Sequence, residues 1–365
     1  MMKSLTKSKE KKYKRVEGIS QRKWDPKKFA NSPRSRKILE HSDKKFLPVV
    51  SPIVLLKCLA VVSCKLGRPR FSVLHIAPSR QLKSYTSNEA MKISDPKFRL
   101  DLQSDFTLNS LRRYKNKLER SACLFVNDAT TLFASKAKRF KDRLLGALSA
   151  LLADEIYIYQ DFRKKFTLAG KITLVMNMTS EAYQNYKDRL LGLTFTERVL
   201  TVHHFLSKPE MDAWVKKEQK TMKMRFTPTI TIDDIETDIQ EIPSHYLKLI
   251  RIHAREFSYL SMRSFVGCQD TIKAIMRAHA ALNKRNYVCE DDLYVVTLIK
   301  PYLINPFSRC EGQIVKLRAQ GLSYREIEEK IGKRNYLRQI QRVVKKAQIR
   351  GILPLDTKLD SNYEK

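Results

Sequence analysis

Acidic residues are scarce in this chain. Its 365 residues include 38 Asp and Glu against 71 Lys and Arg, a formal net charge of +33. That imbalance excludes an acidic disordered chain and selects polyanionic partners, nucleic acid or an anionic membrane. Long apolar runs are also missing. The longest, Ile53–Val62, is interrupted by Lys57 and falls far short of the roughly 20 residues that a membrane span needs. No hydrophobic signal follows Met1, where the chain is polar and Lys-rich. The six cysteines (58, 64, 123, 268, 289, 310) form no CxxC and no paired Cys–His spacing, so neither a zinc site nor a disulfide framework is supported. These absences lead to the expectation of a cytoplasmic protein with no membrane partner.

What is present suffices for a core, since 42% of residues are hydrophobic and 9% aromatic. At about 150 residues per domain, the length predicts two to three domains. Residues 1–45 carry 16 Lys and Arg against 5 acids and few apolar residues. They read as a flexible basic arm, either contacting nucleic acid or merely solubilising. Pro48–Gly67 reads as a helix buried on most sides, with Ile53, Leu56, Ala60 and Cys64 on one stripe and Leu55, Leu59, Val62 and Leu66 on another. Four short apolar runs then read as strands: Phe71–Ala77, Leu124–Val126, Lys171–Met176 and Arg198–Val202. Helical stretches separate them, such as Lys138–Ala153, with Phe140, Leu144, Leu145, Leu148, Leu151 and Leu152 on one face. This alternation predicts an α/β fold with a parallel sheet. The alternating stretch Asp154–Asp161 fits a hairpin inserted before the third strand. From Ser244 to Tyr302 the pattern is helical, and Asn305-Pro306 marks a boundary. The resulting division is an arm (1–45), an α/β core (46–225), a helical unit (226–304), a small basic helical unit (305–353) and a tail (354–365).

Ala77-Pro-Ser-Arg-Gln-Leu-Lys-Ser84 follows the first strand. A phosphate-binding loop of the form G-x-x-x-x-G-K-[ST] follows a strand and opens a helix. Lys83 and Ser84 stand in register, with Ala77 at the first glycine and Arg80 inside the loop. Leu82 occupies the second glycine, where the backbone must approach the phosphates closely. Lys83 would reach the phosphates and Ser84 would bind magnesium; the other reading is a chance Lys-Ser at a strand-to-helix turn. The second strand ends in Asn127-Asp128, where phosphoryl-transfer proteins place a magnesium ligand and a residue that polarises water. Asn127 would act on magnesium through water, and Asp128 would be the base. Strands also often end in Asn or Asp for reasons of turn chemistry alone. Asn177 follows on the third strand, and Arg198 precedes the fourth.

This ordered set resembles AAA+ ATPases, specifically their MoxR/MCM-like branch. The resemblance covers roughly residues 48–302. It implies ATP and Mg as cofactors, a P-loop core under an α-helical lid, and self-association into a ring. It implies the sensor 1 role for Asn177 and, for Arg198, that of an arginine finger acting on a neighbouring subunit. Met276–Leu293, with Arg285-Asn-Tyr-Val288 before Asp291 and Asp292, resembles the end of the MoxR lid. Arg263 is the candidate sensor 2, about one turn away from the family's spacing.

The C-terminal unit reads as a simple or winged helix-turn-helix. Glu311–Ala319 is its first helix. Ser323 and Glu326 form a capping box ahead of a second helix, Tyr324–Ile331. The last helix, Tyr336–Ile349, sets Leu337, Ile340, Val343, Val344 and Ala347 against Arg338, Gln341, Arg342 and Lys345. With Arg334 in the preceding turn, those four polar residues form a candidate DNA reader; the alternative is a three-helix packing module with a solvated basic face. His203-His204 reads as an ordinary pair, one facing in and one out, and no G-x-S-x-G elbow is present. Together these features give the expectation of an ATP-binding protein acting on DNA. A DNA-binding regulator on a degenerate AAA+ scaffold and a chaperone of protein partners stand as alternatives.

Overall fold

A computed structural model describes residues 24–349 except 95, 97–98, 103–105, 121, 131, 133–137, 161–164, 193–194, 205, 207, 222–234, 262, 304–310, 312, 315–316, 319 and 333–334. Its centre is a five-stranded parallel sheet built from β1 (Val73–Ala77), β2 (Arg99–Leu102), β3 (Ala122–Val126), β6 (Ile172–Thr179) and β7 (Leu200–His203). Their order across the sheet is β2-β3-β6-β1-β7. Every residue of β1 and β3 is buried, as expected of strands covered on both faces. Alternation along β1 sends Val73 into one apolar cluster and Leu74 and Ile76 into another. The four expected strands all form. β2 was not anticipated, because Arg-Leu-Asp-Leu at the sheet edge carries too little apolar signal. The expected hairpin is β4 (Tyr157–Gln160) with β5 (Lys165–Leu168), antiparallel and outside the main sheet.

Helix α1 (Pro33–Lys45) precedes α2 (Ser51–Lys65), which is buried at every position from Ser51 to Cys64, Lys57 included. α3 (Lys83–Ile93) follows β1. Two short helices, α4 (Leu108–Arg113) and α5 (Lys115–Glu119), lie between β2 and β3. α6 (Lys138–Leu152) covers the face opposite α2 through Leu144, Leu145, Leu148 and Leu151. α7 (Ser180–Gly192) and the single turn α8 (Phe195–Arg198) lead into β7, and α9 (Lys208–Thr221) follows it.

Beyond the sheet, α10 (Ser244–Ser261), α11 (Phe265–Leu282) and α12 (Glu290–Ile299) share one continuous core with α2. A smaller cluster of Ile314, Ile327, Ile340, Val343 and Val344 holds together α13 (Tyr324–Ile331) and α14 (Leu337–Ile349), and Tyr259 of α10 packs on it. The Ser323–Glu326 capping box forms, and Gly332 ends α13 at φ 66°, a left-handed turn that glycine adopts freely. The tail at 354–365 and the expected wing at 350–353 lie outside the described residues.

The flexible-arm expectation fails for residues 24–45. Trp24, Phe29, Ile38 and Leu39 are buried in the main core. The segment also satisfies polar groups far along the chain. Asn31 N and Ser32 Oγ donate to Asp291 Oδ2 at 2.9 and 2.8 Å, and Arg34 N donates to Asn283 Oδ1 at 3.1 Å. Its few apolar side chains suffice because they complete a core that other elements supply. Residues 1–23 lie outside the described set.

Candidate functional site

The carboxyl ends of parallel strands are where open α/β sheets bind ligands. Here the ends of β1, β3 and β6 meet the first turn of α3. The chain leaves β1 at Ala77 and turns through left-handed backbone at Arg80 (φ 61°) and Leu82 (φ 58°). Leu82 thus adopts, at the place where the loop motif has glycine, the conformation that glycine would adopt, a strained one for a branched side chain. Its side chain offsets this by burial at 2% exposure. Gln81 anchors the loop sideways: its Nε2 donates to Leu206 O at 3.1 Å and its Oε1 accepts from Leu206 N at 2.9 Å. Lys83 Nζ donates to Ala77 O at 2.9 Å and Pro78 O at 2.6 Å, so its charge sits inside the loop. Burial lowers its pKa, while Asp128 and Glu181 act to raise it.

The structure therefore brings Ala77, Arg80, Lys83 and Ser84 together, with Asn127 beside them. Ser84 Oγ reaches Asn127 O at 3.4 Å, and Asn127 Nδ2 donates to Asn88 Oδ1 at 3.2 Å. Asp128 is exposed, and its Oδ1 accepts from Thr130 N at 2.9 Å in a local turn. This donor set fits a phosphate group better than magnesium. Asn127 carries no charge, and among the described residues no group of three or more His, Cys, Asp or Glu side chains could hold a metal ion.

Asn177 lies inside β6, fully buried and opposite His75 of β1. Its Nδ2 donates to Ser87 Oγ at 2.9 Å, Asn127 O at 3.2 Å and Lys83 O at 3.3 Å. Its Oδ1 accepts from Lys57 Nζ at 3.0 Å. Lys57 also donates to Thr86 Oγ1 and Ser87 Oγ, both at 2.8 Å, and to Lys83 O at 3.2 Å. The amide is thus engaged on every side by protein and ties β6 to α3. Burial, and then the neighbouring Lys83 charge, push the pKa of Lys57 well below the ordinary lysine value.

Arg198 and Arg263 stand elsewhere. Arg198 is exposed at the entry to β7, the opposite end of the sheet from Lys83. Arg263, 2% exposed, donates from Nη2 to Glu197 O at 2.8 Å and Thr271 Oγ1 at 3.1 Å, at that same far end. The expected nucleotide contact from Arg263 is thereby corrected: within one chain it does not face the loop. Ser264 N donates to Glu197 Oε2 at 2.9 Å, so α8 is bound to the start of α11.

The expectation for His203 and His204 is also corrected, since both are buried, at 6% and 2% exposure. His204 Nδ1 lies 2.6 Å from His75 Nε2. Sequence reasoning missed Lys57, His75 and Gln81 as site residues. The available signal was a lone Lys inside an apolar helix and a lone His inside an apolar strand.

In the C-terminal unit Arg338, Gln341, Arg342 and Lys345 are all exposed on α14, away from Ile340, Val343 and Val344. Arg334 lies outside the described residues. No protein-family model matches this chain, and no curated protein matches it.

Proposed function

We propose that this protein binds DNA through its C-terminal helices and binds the phosphates of a nucleotide, ATP by resemblance, at the 77–84 loop, with little or no hydrolysis. The observation that carries the reading is Lys83, buried at the N-terminus of a helix directly after a central parallel strand, in a loop with left-handed backbone at residues 80 and 82. A helix start offers unpaired amides and a positive dipole end to an anion. Lys83 and the loop amides would hold the phosphates, with Ser84 at the rim. ATP, when bound, supplies a polyanion that the surrounding basic groups neutralise.

The engaged Asn177 amide and the uncharged Asn127 favour slow or absent turnover, so nucleotide serves as a binding signal. The AAA+ likeness, the reading of α10–α12 as a lid and an assembly contacting through exposed Arg198 belong to the same proposal. For DNA, support comes from the outward stripe on α14 and from the +33 charge. The test is a titration of the full chain with a fluorescent ATP analogue, alongside phosphate release with and without duplex DNA. Saturable nucleotide binding with salt-sensitive DNA binding supports the reading. Absence of nucleotide binding leaves only a DNA-binding protein on an α/β scaffold.

A further inference from the structure

A buried polar row crosses three adjacent strands beneath the loop. Asn177 of β6 and His75 of β1 are register partners. His204 follows β7 on the same face, donating its backbone N–H to Ile76 O at 3.1 Å. The two imidazoles meet at 2.6 Å, with ring centroids 4.7 Å apart. Among the described residues His75 Nδ1 is buried without a hydrogen-bond partner. His204 also lies against the backbone of Gln81, inside the loop itself.

Among the described residues the charged groups acting on this pair are all basic: Lys57 from α2, Lys83 from α3 and the neighbouring His203. Carboxylates nearby are committed elsewhere. Asp128 and Glu181 act on Lys83, and Glu89 is taken by His41 and Lys45. Among the described residues the site thus collects basic groups whose only buried acid, Glu89, is already paired with His41 and Lys45, an arrangement that an incoming polyanion relieves.

We propose that His75 and His204 are specificity-determining residues of the loop site: the pair takes up one proton from solvent when a polyphosphate binds. The bound ligand is then met by one positive charge more than the free site carries, so multiply charged phosphate chains are preferred over orthophosphate. This rests on the phosphate reading of the loop. Burial, and then the neighbouring cations, hold both imidazoles neutral in the free protein, with His204 brought down to about 3. A phosphate chain alongside shifts the balance toward the charged form.

The experiment is calorimetric titration of the full chain with sodium tripolyphosphate and with orthophosphate, between pH 6 and 8. It is run in two buffers of different ionisation enthalpy. The expected result is net proton uptake with tripolyphosphate, and affinity rising as pH falls by at most about tenfold per pH unit. Both effects should be lost in His75→Gln and in His204→Gln, along with the preference over orthophosphate. Using the same ligand in both proteins cancels its own titration. Should either variant fold poorly, the histidine ring signals of the wild type, read by nuclear magnetic resonance with and without tripolyphosphate, show the imidazolium directly. Binding without proton uptake overturns the proposal while sparing the loop. Uptake that survives both His variants but disappears in Lys57→Met overturns it in favour of the lysine. No binding of tripolyphosphate at any pH removes the phosphate reading itself.

Discussion

Lys57 Nζ and Asn177 Oδ1 lie 3.0 Å apart in a fully buried contact that joins α2 to β6 beneath the first turn of α3. A residue in the sensor position of an ATP-hydrolysing site must face the phosphate. Here the amide faces the protein. Asn177→Ala removes three donated bonds and orphans part of the Lys57 shell. The expected cost is about 2–4 kcal/mol of stability, nucleotide or not, read by chemical denaturation. An unchanged midpoint would show that the amide is free for ligand.

Lys83→Ala should weaken phosphate binding at the loop. Charge-assisted bonds contribute about 1.5–3 kcal/mol each, which predicts at least about tenfold weaker binding of a fluorescent ATP analogue. Thermal denaturation of the variant serves as the folding control. Full affinity in a folded variant would count against the loop.

Glu89, 2% exposed, bonds His41 Nε2 at 2.7 Å and also Lys45. Burial raises its pKa, but the bonds from His41 and Lys45 outweigh burial and leave it lowered. A carboxylate with a depressed folded-state value adds stability above its unfolded pKa, about 4.3, and that contribution is lost as pH falls through the folded value. Glu89→Gln should therefore cost about 1–3 kcal/mol at pH 7 and progressively less below about pH 4. Denaturant midpoints across pH 3–7 for both proteins test this, and parallel curves would contradict it.

Arg338→Ala and Arg342→Ala should each weaken duplex DNA binding by about 1–3 kcal/mol if they read bases. If they contact phosphates, the loss should be even across sequences, with the salt slope reduced by about one. The protein for this comparison should lack residues 1–23 and no more, because 24–45 complete the core. DNA affinity unmoved by the double substitution would assign α14 a packing role.

The parallel sheet, the inserted hairpin, the helical run after Ser244 and the Ser323–Glu326 cap were legible because each rests on local pattern. Buried strands read as apolar runs, and a capping box is four residues long. Residues 24–45 were misread because their partners, Asp291 and Asn283, lie some 250 residues away, and no local composition reveals such pairing. At the site, Lys83 and Ser84 were visible as a motif. The Lys57–Asn177 contact was not, since it depends on which faces of α2 and β6 meet. Arg263 was placed by family spacing, and its actual position follows from how α11 sits against α8.

The reach of residues 24–46 across the molecule bears on the order in which the chain becomes a protein. Domains made on the ribosome ordinarily fold N-terminal end first. Here α1 and α2 are made well before α11 and α12, the helices whose residues complete their core. The side of α2 that packs on α11 stays uncovered until that helix is made. The sheet and the helices that follow it share one core, so a fragment cut between them should expose that core rather than release two domains.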